Sequence, residues 1–518
     1  MKGAMSVVGI RMNTRLSTLA AAAGLALPAG ALDAEVTALA YDSRRAGPGA
    51  LFFALPGVKA DGAAFAADAV ARGAVAVVSQ TPLALPGAPV LVAKDARRAL
   101  GLASATFYRT PSRRLKLAGV TGTNGKTTTT YLVEAMAREA GLIAGVMGTV
   151  EYRFAGRSTP APHTTPEAPE LQSRLADMAD AGVQLACIEV SSHALAQSRV
   201  DGCEFAAAAF TNLTRDHLDY HGSMEAYFEA KARLFRELVL PGAPATVNVD
   251  DAWGERLAEG LKRAGRKVWR ASSAPMPPDG CELVARVEER GLHGTRGAVK
   301  TPFGSAPFSL RLVGAHNVEN FLTAAGLALG AGVPLDAVLR GAASLDGVPG
   351  RLQRVPDDKD RAVFVDYAHT DDALSRVLTA VRALGPGRLV CVFGCGGDRD
   401  RGKRPLMGAV AARLADVVVV TSDNPRSEDP LAILAEIVPG LEAEGKARVT
   451  LAEAREQPGF VVEPDRAAAI RAAIALARRG DAVLLAGKGH EDYQLVGAEK
   501  LHFDDREEAA RALKETPA

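Results

Sequence analysis

Short apolar runs alternate along the chain with longer segments in which apolar and polar residues mix. The runs at 74–79, 184–190, 362–366 and 482–486 are rich in Val, Ile, Leu and Ala. Strands of a parallel sheet are buried on both faces and therefore carry continuous apolar runs, and the segments between them form crossover helices. The pattern predicts an α/β fold built on parallel sheets, with functional side chains at the carboxyl ends of the strands.

Chain length and two boundary segments predict three domains. A chain of 518 residues is too long for one hydrophobic core and corresponds to about three domains of ordinary size. Residues 109–112 (Arg-Thr-Pro-Ser) have the composition of a linker, and a new series of strands starts after Gly350. We therefore expect an N-terminal domain over residues 1–112, a central domain over 113–349 and a C-terminal domain over 350–518.

A glycine-rich segment between a predicted strand and a predicted helix gives the first indication of chemistry. Residues 115–121 alternate as a strand, Gly-Thr-Asn-Gly at 122–125 forms a tight loop, and a helix is expected over 126–140. Backbone N–H groups of such a loop can face an anion, and the helix dipole adds to their effect. Lys126 can reach the β- and γ-phosphates of a nucleoside triphosphate, and the Thr127 hydroxyl can bind Mg²⁺. The alternative is an ordinary strand–helix turn, because residue 120 is Val where the common P-loop signature has Gly.

Three further polar residues in the central domain are candidates for metal chemistry. Glu189 ends a predicted strand and can complete a Mg²⁺ shell with Thr127, or it can be a solvated strand-end carboxylate. His217 can bind a second divalent ion as a neutral imidazole, or it can be structural. Lys231 lies on a helix predicted over 224–237, where a lysine is ordinarily a solvated charge. A desolvated amine that took up CO₂ would instead offer carbamate oxygens to Mg²⁺, which residue spacing does not show.

Each strand of the C-terminal domain ends in polar residues. The four loops are Asp-Tyr-Ala-His at 366–369, Gly-Cys-Gly-Gly-Asp-Arg at 394–399, Asp-Asn-Pro-Arg at 423–426 and Gly-Lys-Gly-His-Glu at 487–491. Loops that follow parallel strands share one edge of the sheet, where α/β proteins bind their ligands. Taken alone, Asp-Asn-Pro-Arg could be a turn with an exposed arginine, but the four loops together predict a binding site.

Composition narrows the possible partners and the compartment. Lys and Arg number 61 and Asp and Glu 60, a formal net charge of +1, which argues against nucleic acid as a partner. The five cysteines form no zinc-like pair of pairs, and their odd, scattered number fits a reducing cytoplasm. No run reaches the roughly 18 apolar residues of a membrane span. We expect a cytoplasmic monomer without membrane insertion.

The apolar stretch near the N-terminus has two interpretations. Arg11 and Arg15 precede an Ala- and Leu-rich run at 16–27, as in a signal peptide. The same run fits a first buried or amphipathic helix that stops at Gly24 and Pro28. We favour the helix, because a nucleotide-dependent enzyme needs substrate from the cytoplasm.

Six motifs occur in the order seen in the Mur ligases, and the chain resembles that family from Asp42 to Glu491. They are Thr-Gly-Thr-Asn-Gly-Lys-Thr-Thr at 121–128, Glu-Val-Ser-Ser-His at 189–193, Thr-Asn-Leu-Thr-Arg-Asp-His-Leu-Asp-Tyr-His at 211–221, Gly-Ala-His-Asn-Val-Glu-Asn at 314–320, Asp-Tyr-Ala-His-Thr at 366–370 and Asp-Asn-Pro-Arg at 423–426. The resemblance implies an N-terminal domain for a UDP-sugar substrate, a central P-loop ATPase-like domain and a C-terminal Rossmann-like domain for an amino acid.

The resemblance also implies roles for individual residues. The implied ATP site comprises Gly122, Thr123, Asn124, Gly125, Lys126, Thr127, Thr128, His316, Asn317, Asn320, Arg351 and Asp366. The residues implied to hold a UDP-muramoyl-dipeptide are Ser43, Thr164, Thr165, Ser191, Gln197 and Arg199. The implied diaminopimelate site comprises Arg399, Asp423, Asn424, Pro425, Arg426, Gly487 and Glu491. The implied Mg²⁺ ligands are Thr127, Glu189, His217 and Lys231 as a CO₂-derived carbamate. The implied catalytic residues are Lys126, Glu189, His217 and Lys231.

The activity implied by the resemblance is ATP-dependent amide-bond formation in peptidoglycan precursor synthesis. ATP would phosphorylate the D-Glu γ-carboxylate of UDP-N-acetylmuramoyl-L-Ala-D-Glu, and an amine of meso-2,6-diaminopimelate would attack the acyl phosphate. The C-terminal domain would close over the central domain, with hinges near residues 110 and 350. The alternatives are a relative that adds L-lysine, a folylpolyglutamate-type ligase and, from a different class, a P-loop switch without ligase activity.

Arg426 separates these alternatives on chemical grounds. A guanidinium can bind the distal carboxylate of diaminopimelate bidentately, and a lysine substrate would leave it unpaired. Glu491 suits the distal ammonium, and the region around Ser43 argues against folate. Two residues depart from the family pattern: His163 stands where some relatives have Asn, which leaves one dipeptide contact open, and Asp371 stands where Pro is common.

Overall fold

The computed structural model describes residues 13–57, 61–292, 294–357, 359 and 361–516, which form two compact units. The first unit contains the described residues of Met1–Ser272, Met276–Leu283 and Leu322–Gly341. The second contains the described residues of Ser273–Pro275, Val284–Phe321 and Ala342–Ala518. Both units mix helices with parallel strands, so the predicted α/β class is confirmed. The domain boundaries predicted near residues 112 and 349 stay predictions.

The beginning of the first unit contains a small parallel sheet and, beside it in the chain, an antiparallel pair formed by the first two strands. Its elements are β1 (Thr14–Arg15), α1 (Leu16–Ala22), β2 (Glu35–Val36), β3 (Ala38–Ala40), β4 (Ala50–Phe53), α2 (Ala66–Ala71), β5 (Ala74–Ser79), β6 (Val90–Val92) and α3 (Ala96–Phe107). The sheet order is β3-β4-β5-β6, with every pair parallel. Leu16 and Leu19 of α1 are buried in the core of this sheet. The run at 16–22 is therefore a core helix, as favoured; Arg11 lies outside the described residues.

A larger sheet forms the rest of the first unit. Its elements are β7 (Lys116–Thr121), α4 (Lys126–Glu139), β8 (Ala144–Met147), β9 (Glu151–Phe154), β10 (Arg157–Pro160), α5 (Ala168–Asp180), β11 (Leu185–Glu189), α6 (Ser192–Ala196), β12 (Ala207–Phe210), α7 (Leu218–His221), α8 (Met224–Arg233), β13 (Ala245–Asn248), α9 (Ala252–Arg263) and β14 (Val268–Ser272). The strand order is β10-β9-β8-β11-β7-β12-β13-β14. From β8 to β14 neighbouring strands are parallel, so the ends of β7, β11 and β12 meet at one edge. The helix predicted over 224–237 ends as a π-helical turn, Leu234–Leu238.

The remaining elements begin with an antiparallel meander that the sequence pattern did not predict. They are β15 (Leu283–Gly291), β16 (Gly294–Thr301), β17 (Gly304–Leu310), α10 (Ala315–Gly330), α11 (Leu335–Ser344), β18 (Gln353–Val355), β19 (Ala362–Asp366), α12 (Asp371–Arg382), β20 (Leu389–Phe393), α13 (Lys403–Leu414), β21 (Val417–Val420), α14 (Pro430–Ala443), β22 (Gly459–Val462), α15 (Arg466–Leu476), β23 (Ala482–Ala486), β24 (Tyr493–Val496), β25 (Glu499–His502) and α16 (Asp505–Glu515). A six-stranded sheet of order β18-β19-β23-β20-β21-β22 organises the second unit. It is parallel except where β18 meets β19.

Two cores cover the faces of the six-stranded sheet. Phe364, Leu484 and Val418 point into the core that includes residues of α12, α13 and α14. Val363 and Val483, one residue earlier on their strands, point into the core that includes residues of α15 and α16. Alternation of side chains along each strand, with helices on both faces, explains why these strands are continuous apolar runs. Because both faces of the sheet are buried, polar side chains are placed at the ends of its strands.

The cysteines and the longer helices carry no further functional signal. All five cysteines are buried free thiols, and burial raises the pKa of the Cys391 thiol to about 12. A buried neutral thiol of this kind packs as a small apolar side chain. In the described part of the chain, no helix combines the length and the hydrophobicity needed to span a membrane.

Candidate active site

The loop after β7 is hydrogen-bonded to, and closely packed against, the loop after β12. Gly122 has a φ of +151°, and a Cβ there would lie 1.8 Å from Thr211 Oγ1. Thr123 N donates to Asn212 O at 2.9 Å, and Asn124 N donates to Asn212 Oδ1 at 2.9 Å. The next helix, α4, starts at Lys126 after Gly125 and has no side-chain cap. Its first N–H groups therefore lack the side-chain acceptor that would compete with a phosphate.

Two lysines converge on the carbonyl of Gly122. Lys126 Nζ lies 3.0 Å from Gly122 O, and Lys231 Nζ donates to the same oxygen at 2.8 Å. Lys231 is 1% exposed. Burial, and secondly the charge of Lys126, lower the pKa of Lys231 well below its ordinary value. A lowered pKa raises the neutral fraction of the amine, and only the neutral form can add to CO₂.

The structure places the predicted metal ligands without a preformed metal cluster. Glu189, at the end of β11, is buried and accepts hydrogen bonds from Thr149 N and Thr149 Oγ1, both at 2.9 Å. Thr127 is buried on the first turn of α4. His217 is about half exposed at a φ of +52°, with its ring 4.9 Å from that of His193. Among the described residues no three His, Cys, Asp or Glu side chains are grouped to hold a metal. Mg²⁺ commonly takes few protein ligands together with water and substrate phosphate, which these residues fit.

The residues predicted for the dipeptide form one hydrogen-bonded network beside Glu189. Thr165 Oγ1 donates to Glu189 O at 2.8 Å and accepts from Ser191 N at 3.1 Å. Arg199 Nη1 donates to Thr165 O at 2.9 Å, and Arg199 Nη2 donates to Gln197 Oε1 at 2.6 Å. The remaining pair is Thr164 and Thr149, whose hydroxyls lie 3.1 Å apart. Five of the six predicted residues are therefore brought together, and Thr149 is a member that the sequence did not predict.

Ser43, the sixth predicted residue, lies between β3 and β4 of the small N-terminal sheet. It starts a short 3-10 helix, Ser43–Arg45, that is capped by Asp42. Ser43 is 7% exposed. Its neighbours tie this turn to α5, because Tyr41 OH and Arg45 Nη1 each donate to Glu170 Oε1 at 3.0 Å.

In the second unit, the residues predicted for ATP lie in two places. Asp366 Oδ2 accepts from Leu352 N at 2.7 Å, and Asp366 Oδ1 accepts from Ala368 N at 2.9 Å. Burial raises the pKa of the Asp366 carboxyl, and these bonds fix the turn that carries Arg351. His316, Asn317 and Asn320 lie at the start of α10. Asn317 Nδ2 donates to Val313 O at 2.7 Å, and Asn320 Nδ2 donates to Asn317 Oδ1 at 2.9 Å.

The loops after β20, β21 and β23 bring the predicted amino-acid site together. Asn424 Nδ2 donates to Glu491 Oε2 at 2.9 Å. Arg426 Nη1 donates to Gly397 O at 2.8 Å. A Cβ on Gly396 would lie 2.9 Å from Arg426 Nη1 and 3.8 Å from Arg399 Cγ, which places both arginines at the same loop. Gly487 lies against Asp423, since its Cβ would be 3.5 Å from Asp423 Oδ2. Pro425 is buried between Asn424 and Arg426.

Sequence reasoning missed one buried cation in this group. Lys488 is 0% exposed, with Nζ 3.6 Å from Asp423 Oδ1 and 3.6 Å from Glu491 Oε2. A lysine between two glycines directly after a buried strand was the available signal. Lysines are almost never fully buried unless they are paired, so the motif alone did not indicate this burial.

Family profiles match three successive stretches of the chain. They are described as "Mur ligase family, catalytic domain" at residues 35–108, "Mur ligase middle domain" at 120–328 and "Mur ligase, glutamate ligase domain" at 350–489. Together they span most of the described residues and include the loops presented above as far as residue 489.

Individual relatives match over nearly the whole chain. A Synechococcus sp. (strain WH7803) protein named UDP-N-acetylmuramoyl-L-alanyl-D-glutamate--2,6-diaminopimelate ligase is 51% identical, covering 97% of this chain and 99% of its own. A Geobacter metallireducens protein of the same name is 48% identical, covering 97% and 98%. A solved structure titled with that ligase name aligns with a TM-score of 0.72 and 34% identity, covering 97% of this chain and 99% of its own.

Proposed function

Because the chain belongs to the Mur ligase family, it is an ATP-dependent amide-bond-forming ligase, and we propose that it adds meso-2,6-diaminopimelate to UDP-N-acetylmuramoyl-L-Ala-D-Glu. The predicted resemblance is thereby confirmed. The observation that carries the proposal is sequence identity of 51% and 48%, over nearly the full length, to relatives named for this reaction. The product amide joins an amine of diaminopimelate to the D-Glu γ-carboxylate, a step in peptidoglycan precursor synthesis. We place the reaction in the cytoplasm, where ATP is available, and we expect a monomer.

ATP is the first substrate in the proposal, and the loop at 122–128 would hold its phosphates. The uncapped start of α4 and the amine of Lys126 both favour anionic oxygens there. Lys126 would stabilise charge on the transferring phosphoryl group. The remaining ATP contacts in the proposal are Gly122, Thr123, Asn124, Gly125, Thr127, Thr128, His316, Asn317, Asn320, Arg351 and Asp366. The domain division at residues 112 and 349 and the hinges near 110 and 350 belong to the same proposal.

Mg²⁺ would neutralise phosphate charge during transfer, and the chain offers a suitable set of ligands. In the proposal these are Thr127, Glu189, His217 and Lys231 as a carbamate. The neutral amine of Lys231 would add to the carbon of CO₂ and lose one proton, which leaves an anionic carbamate. The supporting observation is the burial of Lys231 beside Lys126, since both lower the pKa of Lys231 and so favour the free amine.

The first chemical step is phosphorylation of the D-Glu γ-carboxylate. One carboxylate oxygen attacks the γ-phosphorus of ATP, ADP leaves, and an acyl phosphate is formed. The network of Thr164, Thr165, Ser191, Gln197 and Arg199 would hold the dipeptide for this attack, because hydroxyl, amide and guanidinium groups match its carboxylates and amides. Ser43 would contact the uridine nucleotide.

The second step is attack of the diaminopimelate amine on the acyl phosphate carbon. The tetrahedral intermediate collapses with loss of phosphate, and the amine nitrogen loses its proton. At the opposite end of diaminopimelate, Arg426 and Arg399 would bind the distal carboxylate. Glu491 and Asp423 would face the distal ammonium, and Asn424, Pro425 and Gly487 would shape the pocket. No side-chain nucleophile is required.

Phosphate release tests the proposal directly. The assay contains ATP, Mg²⁺ and UDP-N-acetylmuramoyl-L-Ala-D-Glu, with meso-diaminopimelate or L-lysine as the amine. We expect sustained release with diaminopimelate and little with L-lysine. Release with L-lysine alone would keep the ligase and overturn the assignment of Arg426. Release with neither amine would overturn the proposed substrates and favour the folylpolyglutamate-type alternative or a non-ligase switch.

A further inference from the structure

Lys488 is a buried cation that contacts three groups of the proposed amino-acid pocket and has no exposed surface of its own. Its Nζ donates to Asn424 Oδ1 at 3.2 Å and lies 3.6 Å from a carboxylate oxygen of both Asp423 and Glu491. Because Lys488 is fully buried, it does not reach the pocket surface where a substrate binds. Any effect on the substrate must pass through these three neighbours.

The amide of Asn424 is oriented by two donors on the same oxygen. Lys488 Nζ and Leu495 N both donate to Asn424 Oδ1, at 3.2 and 2.9 Å. The amide nitrogen is therefore turned toward Glu491, to which it donates at 2.9 Å. Glu491 is thus held both by the amide and by the charge of Lys488.

The charges of this group leave a negative surplus of one. Asp423 and Glu491 contribute two negative charges, and Lys488 contributes one positive charge. Asp423 Oδ1 is buried and has no hydrogen-bond donor among the described residues. A buried carboxylate oxygen without a donor, in a group with one surplus negative charge, suits a cationic N–H ligand such as an ammonium.

We propose that Lys488 is a positioning residue that keeps Asp423 and Glu491 aligned to receive the distal ammonium of the amino-acid substrate. The charge of Lys488 offsets the repulsion between the buried Asp423 and the partly buried Glu491, and without that charge both carboxylates lose the ionic contact that holds them in place. Carboxylates that lose this alignment would bind the ammonium more weakly. The inference rests on the proposed function, since it takes diaminopimelate as the amine.

A separate pair anchors the loops, so Lys488 is not needed to hold them. Arg466, which is fully buried, donates from Nη1 to Ser422 O at 3.3 Å and from Nη2 to Ala486 O at 3.0 Å. These carbonyls precede the loops that carry Asp423 and Lys488. Arg466 is in turn paired with Asp505 at 2.6 Å. Neutralising Lys488 should therefore change the charge of the pocket while the loop positions persist.

Lys488→Met tests the proposal, because methionine keeps the length and apolar stem of the side chain without its charge. With diaminopimelate varied, we expect its KM to rise on the order of 100-fold, as for a binding group deprived of a buried ionic partner. We expect kcat to change less than about threefold, because the reacting amine lies at the other end of the substrate. The KM values for ATP and the UDP-linked substrate should stay the same. Lys446→Met is the matched control, since Lys446 is a half-buried lysine of the same unit that donates to Ala412 O.

Rescue separates a charge effect from a packing effect. In Lys488→Ala, added ethylammonium should lower the KM for diaminopimelate again, and ethanol, which has the same number of heavy atoms but no charge, should not. If the wild-type enzyme depends on diaminopimelate but Lys488→Met leaves the KM for diaminopimelate unchanged, this inference alone would be overturned. Equal rises in all three KM values, or equal rescue by ethanol, would show a structural role and would also overturn it. A wild-type enzyme that ignores diaminopimelate would instead refute the proposed function.

Discussion

Arg426 illustrates how a single side chain can decide between two similar amines. Its Nη1 donates to Gly397 O at 2.8 Å, which fixes the plane of the guanidinium. Lysine lacks the distal carboxylate of diaminopimelate. A guanidinium at this position can therefore pair with diaminopimelate, whereas bound lysine would leave it unpaired. The position of Arg426, at a φ of +52°, is an uncommon conformation for a residue other than glycine. Such a conformation at a loop after a strand is often found at functional sites.

Arg426→Lys should selectively weaken the binding of diaminopimelate. A point-charge ammonium loses the bidentate geometry, which for charge-assisted hydrogen bonds corresponds to a fall in kcat/KM of about 10- to 100-fold. Steady-state phosphate release with diaminopimelate varied provides the measurement. Arg401→Lys is the control, because exposed Arg401 pairs with Glu436 outside the proposed pocket. An unchanged kcat/KM in the Arg426 variant would remove it from substrate recognition.

The proposed carbamate on Lys231 predicts that the reaction depends on CO₂. Burial lowers the pKa of Lys231 and so favours the neutral amine that the carbamate requires. In buffer stripped of CO₂ the wild-type rate should fall, and added bicarbonate should restore it. Lys231→Met should be slower than wild type by about 100-fold or more, because a metal ligand is lost. The rate of this variant should not respond to bicarbonate. Lys262→Met, at an exposed lysine, should behave as wild type. Carbon-13 NMR with labelled bicarbonate should show a carbamate signal that the Lys231 variant lacks. A rate independent of CO₂ would contradict the carbamate.

At the scale of elements, a buried ion pair between α15 and α16 stabilises the strand ends that precede the proposed amino-acid-binding loops. Arg466 and Asp505 are both 0% exposed at their side chains and are paired at 2.6 Å. Removing one partner of a buried ion pair leaves an uncompensated charge and typically costs about 3–5 kcal/mol. We therefore expect Asp505→Ala to lower the free energy of unfolding of the second unit by about that amount. Urea denaturation followed by circular dichroism would measure it, with Glu508→Ala, at the Glu508–Arg511 pair whose arginine is exposed, as the control. A loss below about 1 kcal/mol would mean that other contacts hold these loops.

Elements with a strong apolar pattern were predictable, and those without one were not. The predicted strands at 362–366 and 482–486 match β19 and β23, and the helix predicted from Lys126 starts at that residue. The meander β15–β17 was missed because its strands alternate apolar and polar residues and lack the continuous runs of a buried parallel sheet. Lys488 was missed because burial depends on neighbours from other loops. Asp371, a departure from the family pattern, begins α12, where an acidic residue in the first turn is favourable.

At the scale of the whole molecule, the division into two compact units predicts that unfolding is not a single transition. Units with separate cores commonly unfold separately, and each proposed organic substrate is assigned mainly to one of them. The residues proposed for the UDP-linked substrate, from Ser43 to Arg199, lie in the first unit. Those proposed for diaminopimelate, from Arg399 to Glu491, lie in the second. Stability and substrate binding can therefore be read in the same experiment.

Differential scanning calorimetry should show two transitions, of which Asp505→Ala lowers only the one that belongs to the second unit. A ligand at 100 times its Kd stabilises the unit that binds it by about 2.7 kcal/mol. Meso-diaminopimelate should therefore raise the Tm of the transition sensitive to Asp505, and UDP-N-acetylmuramoyl-L-Ala-D-Glu should raise the other. L-Lysine, which lacks the distal carboxylate, should raise neither. If the UDP-linked substrate raised only the Asp505-sensitive transition, the assignment of Ser43 and the threonine network to that substrate would be wrong, even in an enzyme that forms the expected product.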